Sequence, residues 1–213
     1  MPVTSRAGRA ETFASVRLEQ VFDACIGQAY HTRLAGGACE PLYQPAASPG
    51  GLSVIYYRND FFASALHEVA HWCLAGAARR NRVDYGYWYT ADGRDAATQR
   101  AFEAVEYRPQ ALEWIFSRAC GWQFCLSIDN LDAMDGQLPD TGAFGQRVLG
   151  QVRLWQAQGL PSRAATVFNA LWNGFAHERA AACTGPAQVE CATDVAPACG
   201  TFPSLFFSLD ELS

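Results

Sequence analysis

The sequence predicts a helix-rich α+β domain in which one helix carrying an HExxH motif packs near a small sheet, and three observations carry that prediction. Apolar residues recur at helical spacing in several stretches, 11–30 and 61–74 among them. A short β-branched and aromatic run, LSVIYY at 52–57, has the composition of a strand. Half of the 213 residues are apolar and 13% are aromatic, enough to build a substantial core in one compact unit.

In chain order, residues 11–30 place Phe13, Val16, Leu18, Val21, Phe22, Cys25 and Ile26 at near-helical spacing and predict an amphipathic supporting helix. The Gly/Pro-rich stretch 36–51 predicts a loop, and the strand 52–57 follows it. Asn59 or Asp60 is positioned to cap a helix over 61–74, which Gly76 ends. Past Arg79, Arg80 and Arg82, the run DYGYWY at 84–89 predicts an aromatic strand. Asp92-Gly93 marks a turn, and Asp95 can cap a helix running to about Tyr107. Pro109 fits the first turn of a further helix or a kink in a continuous one, with Leu112, Trp114, Ile115 and Phe116 directed inward. Two more helices are expected at 144–158 and 161–176, with Gly159 closing the first and Pro161 opening the second. Composition changes after Ala180, which divides the chain into a domain at 1–180 and a C-terminal appendage at 181–213.

Composition also excludes several functions. The net charge of −5 argues against nucleic acid as a partner, because phosphate binding rests on clustered basic residues. All 16 basic residues are arginine, so a Walker A loop, a Schiff-base mechanism and a lysine general base are ruled out. No apolar run approaches the roughly 20 residues that cross a bilayer, and the N-terminal stretch lacks the apolar centre of a secretory signal. The expected location is the cytoplasm, with no membrane partner. Eight cysteines in that compartment are expected to be thiols, most of them buried. Cys183, Cys191 and Cys199 recur every eight residues, a pattern open to a metal site or a disulfide, but the thiol reading is favoured because zinc ligands are usually paired more closely.

The chemistry lies in His67-Glu68-Val69-Ala70-His71, an HExxH sequence inside the helix predicted at 61–74. Histidines at i and i+4 project from one face and can reach a single ion. A catalytic metal needs a third protein ligand and an open position, and Glu103 and Glu106 on the next long helix are the candidates, with Glu106 preferred. Two histidines and a carboxylate suit a non-haem Fe(II) oxygenase and a zinc hydrolase equally. Glu68 is the general base in the hydrolase, and a ligand-orienting or proton-shuttling group in the oxygenase. The HxD pair of the 2-oxoglutarate-dependent jelly-roll enzymes is absent, and His177-Glu178 stands without repeats and reads as a helix-end pair.

Four stretches resemble the bacterial elongation factor P hydroxylases: HTRLAGGACEPLYQPA (31–46), FFASALHEVAHWCLAGAARR (61–80), VDYGYWYTADGRDAATQRAFEAVEYRPQALEWIF (83–116) and IDNL (128–131). The resemblance spans about 32–178 and leaves out the N-terminal dozen residues and the tail. It implies hydroxylation of the lysine of elongation factor P that already carries a β-lysyl group. By position it implies His67, His71 and Glu106 as metal ligands, Fe(II) as the metal with zinc as a substitute in purified protein, and dioxygen as co-substrate. The HExxH helix itself resembles that of the zincins. A long cationic side chain would enter a cleft with aromatic walls and acidic groups, and the expected substrate-binding residues are Tyr87, Tyr89, Asp92, Asp95 and Glu103. Tyr85 and Trp88 share that run, but strand alternation directs only one set of its side chains into a cleft. Arg79, Arg80 and Arg82 are candidates for contacting the acidic partner protein. The competing expectation, from the bare motif, is a zinc metallopeptidase.

Overall fold

A computed structural model describes residues 13–84, 94–127 and 141–183 of the chain. Helix α1 (Ser15–Phe22) continues into one π-helical turn, Asp23–Gly27, and buries Leu18, Phe22 and Ile26. The helix expected over 11–30 therefore stops short of Tyr30. His31, in the left-handed region at φ 47°, redirects the chain into a strand.

That strand is β1 (Thr32–Ala38), followed by β2 (Leu42–Gln44) and β3 (Ser53–Arg58). The sheet order is β1-β3-β2, with β3 central, parallel to β1 and antiparallel to β2. The stretch 36–51, expected as a loop, thus holds the end of one strand and all of another. Gly36, one of the glycines that suggested a loop, serves close packing instead. A Cβ on Gly36 would lie 2.6 Å from the Asn59 carbonyl oxygen and 2.7 Å from the Tyr57 hydroxyl. Gly37, at φ 89°, sits where the β1–β3 register shifts. Glu19 ties α1 to this corner: its Oε1 accepts from the Tyr57 hydroxyl at 2.7 Å and from the Gly36 N–H at 3.0 Å.

Helix α2 (Phe62–Leu74) follows β3 directly. Its N-cap is Phe61, with no side-chain capping bond, so neither Asn59 nor Asp60 caps it. Asn59 instead adopts φ 49° and makes the turn between strand and helix, a conformation asparagine tolerates better than most residues. After a 3₁₀ turn at Arg79–Asn81, Asp84 pairs with Tyr43 in an isolated antiparallel bridge, with N–H···O distances of 2.7 and 3.0 Å. The rest of the expected 84–89 strand lies outside the described residues.

Helix α3 (Ala96–Cys120) is continuous and contains Pro109, which resolves the two expectations for that proline. Asp95 caps it as expected, accepting from the Thr98 N–H at 2.8 Å, and Gly121 ends it at φ 74°. Three helices complete the described chain: α4 (Thr141–Gln158), α5 (Ser162–Gly174) and α6 (Ala176–Cys183). Helix α3 packs against α2, α4, α5 and α6, and its second half is the middle of the core, with Ala111, Leu112, Ile115, Phe116, Ala119 and Cys120 fully buried. Arg17 of α1 pairs with Glu178 of α6 and donates to the Gly174 carbonyl, so the two ends of the described chain are tied together. No helix of the described residues is long and apolar enough to cross a membrane. Cys25, Cys39, Cys73, Cys120 and Cys125 are free thiols; Cys73 and Cys120 are buried, while Cys39 and Cys125 are exposed, against the expectation of general burial.

Candidate metal centre

Helix α2 presents His67 and His71 one turn apart on the face that meets α3, with side chains 16% and 14% exposed. Their Nε2 atoms approach to 3.0 Å. Glu106, on α3 and buried, faces both: its Oε2 lies 3.5 Å from His67 Nε2 and its Oε1 3.3 Å from His71 Nε2. One ligand atom from each of the three residues lies within 4.8 Å of the others. Glu103, the other candidate third ligand, is outside this group. It accepts from Gln99 Nε2 at 3.0 Å, and Gln99 Oε1 accepts from Arg94 Nε at 3.0 Å, so it ends a polar chain along the start of α3.

The chemistry of the group fits a cation. Glu106 Oε2 is buried without a hydrogen-bond partner among the described residues, an arrangement that costs free energy unless something positive meets it. Two imidazole nitrogens converge beside it. A nitrogen-nitrogen-oxygen donor set from two helices can hold a first-row divalent ion and leave positions open for other ligands.

One member of the site was not anticipated. Glu113, buried on α3, lies with its Oε2 2.8 Å from His67 Nδ1. It follows Glu106 by two helical turns, on the same face, and interrupts the apolar run ALEWIF. An acidic residue in such a run was the available signal. His67 meets Glu113 while His71 meets Glu106, so α2 and α3 run antiparallel here.

Charge and burial pull against each other. Burial alone would lower the His67 pKa, but the Glu113 hydrogen bond and the charges of Glu113, Glu106 and Glu68 outweigh it and raise the value to about 10. Glu113 is also raised, by burial, so the pair holds its proton tightly. Burial likewise raises Glu68, against the opposing pull of His67 and His71. For Glu106 burial acts upward, yet His71 and His67 prevail and hold the carboxylate below its ordinary range.

Two recesses reach His71. One, between α2 and the sheet, is bordered by Glu68, Trp72, Tyr43, Arg80 and Asp84. The other, toward α3, is bordered by Leu74, Arg79, Tyr107, Arg108 and Pro109. Of the expected substrate-binding residues, Asp95 is exposed at the start of α3 and Glu103 lies one turn before Glu106, whereas Tyr87, Tyr89 and Asp92 fall outside the described residues. Arg79 pairs with Asp84, Arg80 donates to the Ala75 carbonyl at 2.6 Å, and Arg82 is exposed. His177 is exposed, and its neighbour Glu178 is engaged by Arg17.

The chain matches the family described as elongation factor P hydroxylase over residues 21–184. The chain belongs to the elongation factor P hydroxylase family. It is 46% identical over 151 residues to the elongation factor P lysine hydroxylase of Haemophilus influenzae (strain ATCC 51907 / DSM 11121 / KW20 / Rd), covering 71% of this chain and 83% of that protein. The hydroxylase match begins inside α1, ends just past α6, and takes in His67, His71, Glu106 and Glu113.

Proposed function

We propose that the protein is an oxidoreductase that hydroxylates the lysine of elongation factor P bearing a β-lysyl group, in the cytoplasm, at a centre where His67, His71 and Glu106 hold Fe(II). Membership of the hydroxylase family supports the reaction, and the convergence of three donor atoms within 4.8 Å supports the centre. The HExxH helix is used as in the zincins, with both histidines facing a carboxylate from another helix. Bound Fe(II) would supply the redox chemistry that uses dioxygen as co-substrate, which zinc, having no redox chemistry, would not.

The chain's own residues set the terms of that chemistry. Glu106 brings one negative charge and keeps it, because the two histidines stabilise its ionised form. Glu68 borders the same recess as His71 and is held by burial toward its protonated form, so it can keep a proton at its carboxyl and release it beside the reacting group. The cationic substrate side chain is bound by Tyr87, Tyr89, Asp92, Asp95 and Glu103. Asp95 and Glu103 each spend part of their acceptor capacity on Thr98 and Gln99, and a carboxylate's remaining lone pairs are free for an ammonium.

The test is the intact mass of β-lysylated elongation factor P after incubation with the Fe(II)-loaded protein, a reductant and air, beside a His67→Ala control. The expected result is a gain of one oxygen atom that the control lacks. Equal gains in the two samples, or no gain under anaerobic and aerobic conditions alike, would overturn the proposal. Cleavage of the substrate that depends on Glu68 would mark a metallopeptidase instead.

A further inference from the structure

We infer that Glu113 is the positioning residue of the centre: its carboxylate holds the His67 proton at Nδ1 and so turns the Nε2 lone pair toward His71 and Glu106. The carrying observation is the 2.8 Å contact between His67 Nδ1 and Glu113 Oε2, made where the Glu113 side chain is only 10% exposed. A neutral imidazole has one proton for two nitrogens, and a nitrogen that bears it cannot bind a metal. A buried carboxylate facing Nδ1 makes the Nδ1–H tautomer the favoured one through a charge-assisted bond. Nε2, on the other side of the ring, is then the donor, and it is the atom that faces His71 and Glu106.

The arrangement is economical in helices. Glu106 and Glu113 stand two turns apart on α3, so one rigid element supplies both a donor and the group that orients the donor on α2. Gln110 lies between them and fixes the chain beyond α3, donating to the Ser127 carbonyl at 2.7 Å and accepting from the Ser127 N–H at 3.1 Å.

This inference rests on the metal-centre reading above, and its test therefore reads metal binding rather than hydroxylation. Co(II) is titrated into the metal-free protein, its visible absorption is recorded, and its affinity is obtained by competition with a chelator. Glu113→Ala is expected to weaken binding by roughly 10–100-fold and to alter the Co(II) spectrum. Glu113→Gln keeps an oxygen that accepts from Nδ1–H but removes the charge, and it is expected to restore most of the lost affinity. Circular dichroism that matches the wild type guards against unfolding. Wild-type affinity in Glu113→Ala overturns the inference, as does a loss in both variants as complete as that of His67→Ala, which would make Glu113 a ligand. If the expected affinities appear while the Fe(II)-loaded wild type leaves elongation factor P unchanged in mass, the positioning role stands and the hydroxylase reading fails.

Discussion

His71 Nε2 and Glu106 Oε1 lie 3.3 Å apart, and that approach joins two helices that meet only through the fold. Each residue supplies one of the three converging donors, so either substitution should leave an incomplete set. His71→Ala and Glu106→Gln are expected to weaken Co(II) or Fe(II) binding by about 100-fold or more, beyond the range seen for outer partners. Equilibrium dialysis followed by metal analysis measures this. The metal-free variants should keep the wild-type circular dichroism, because the core is built from other residues; collapse of the fold would point to a protein that only holds its metal structurally.

The His67 pKa makes the metal-free protein sensitive to alkali. Its folded value, about 10, stands above the ordinary 6.5, so the stabilisation it contributes is complete below 6.5 and is lost as pH rises through 10. Glu68 and Glu113, also raised, act in the same sense from 4.5 upward. Glu106, lowered, acts oppositely and withdraws stability as the solution is acidified below 4.5. Thermal unfolding of the metal-free protein should therefore show a Tm that declines between pH 6.5 and 10. A flat or rising Tm across that window would contradict the arrangement. Metal loading near neutrality should release protons, measurable with an indicator dye.

Asp95 has two assignable tasks, and two substitutions separate them. Asp95→Ala removes the bond to the Thr98 N–H and should lower the Tm while leaving Co(II) affinity unchanged. Asp95→Asn keeps a capping oxygen and should restore the Tm. If Asp95 also binds the cationic side chain, the asparagine variant raises KM for elongation factor P despite its normal stability; an unchanged KM limits Asp95 to capping.

Gly36→Ala tests the corner that seats α2. The added methyl would meet the Asn59 carbonyl oxygen at 2.6 Å, which is backbone and has little room to retreat. Overpacking of this kind typically costs about 1–3 kcal/mol. Urea denaturation should show a lower midpoint with an unchanged slope, and a midpoint equal to the wild type would mean that the corner relaxes freely.

Several features were legible because their causes are local. The helix bearing HExxH, the Asp95 cap and the strand around 53–58 follow from spacing and composition within a few residues. Strands β1 and β2 were not legible, since β1 gains its partner by parallel pairing with a strand beyond β2 and its glycines look like loop residues. The capping role assigned to Asn59 or Asp60 failed for a related reason: the tight turn demanded a left-handed residue, and Asn59 was used for that.

The sequence by itself determined that two histidines share one face of α2, because residues four apart on a helix are neighbours whatever surrounds them. Because the fold makes α3 continuous through Pro109, Glu103, Glu106, Gln110 and Glu113 lie along one stripe of it. Which level of that stripe stands opposite the histidines was decided by the tertiary structure alone. Helical periodicity defines a face but not a height, and the height of α3 against α2 is set by how Ala111, Leu112, Ile115 and Phe116 fill the core. That packing brings Glu106 to the Nε2 atoms, leaves Glu103 a turn away, and carries Glu113 to the far nitrogen of His67.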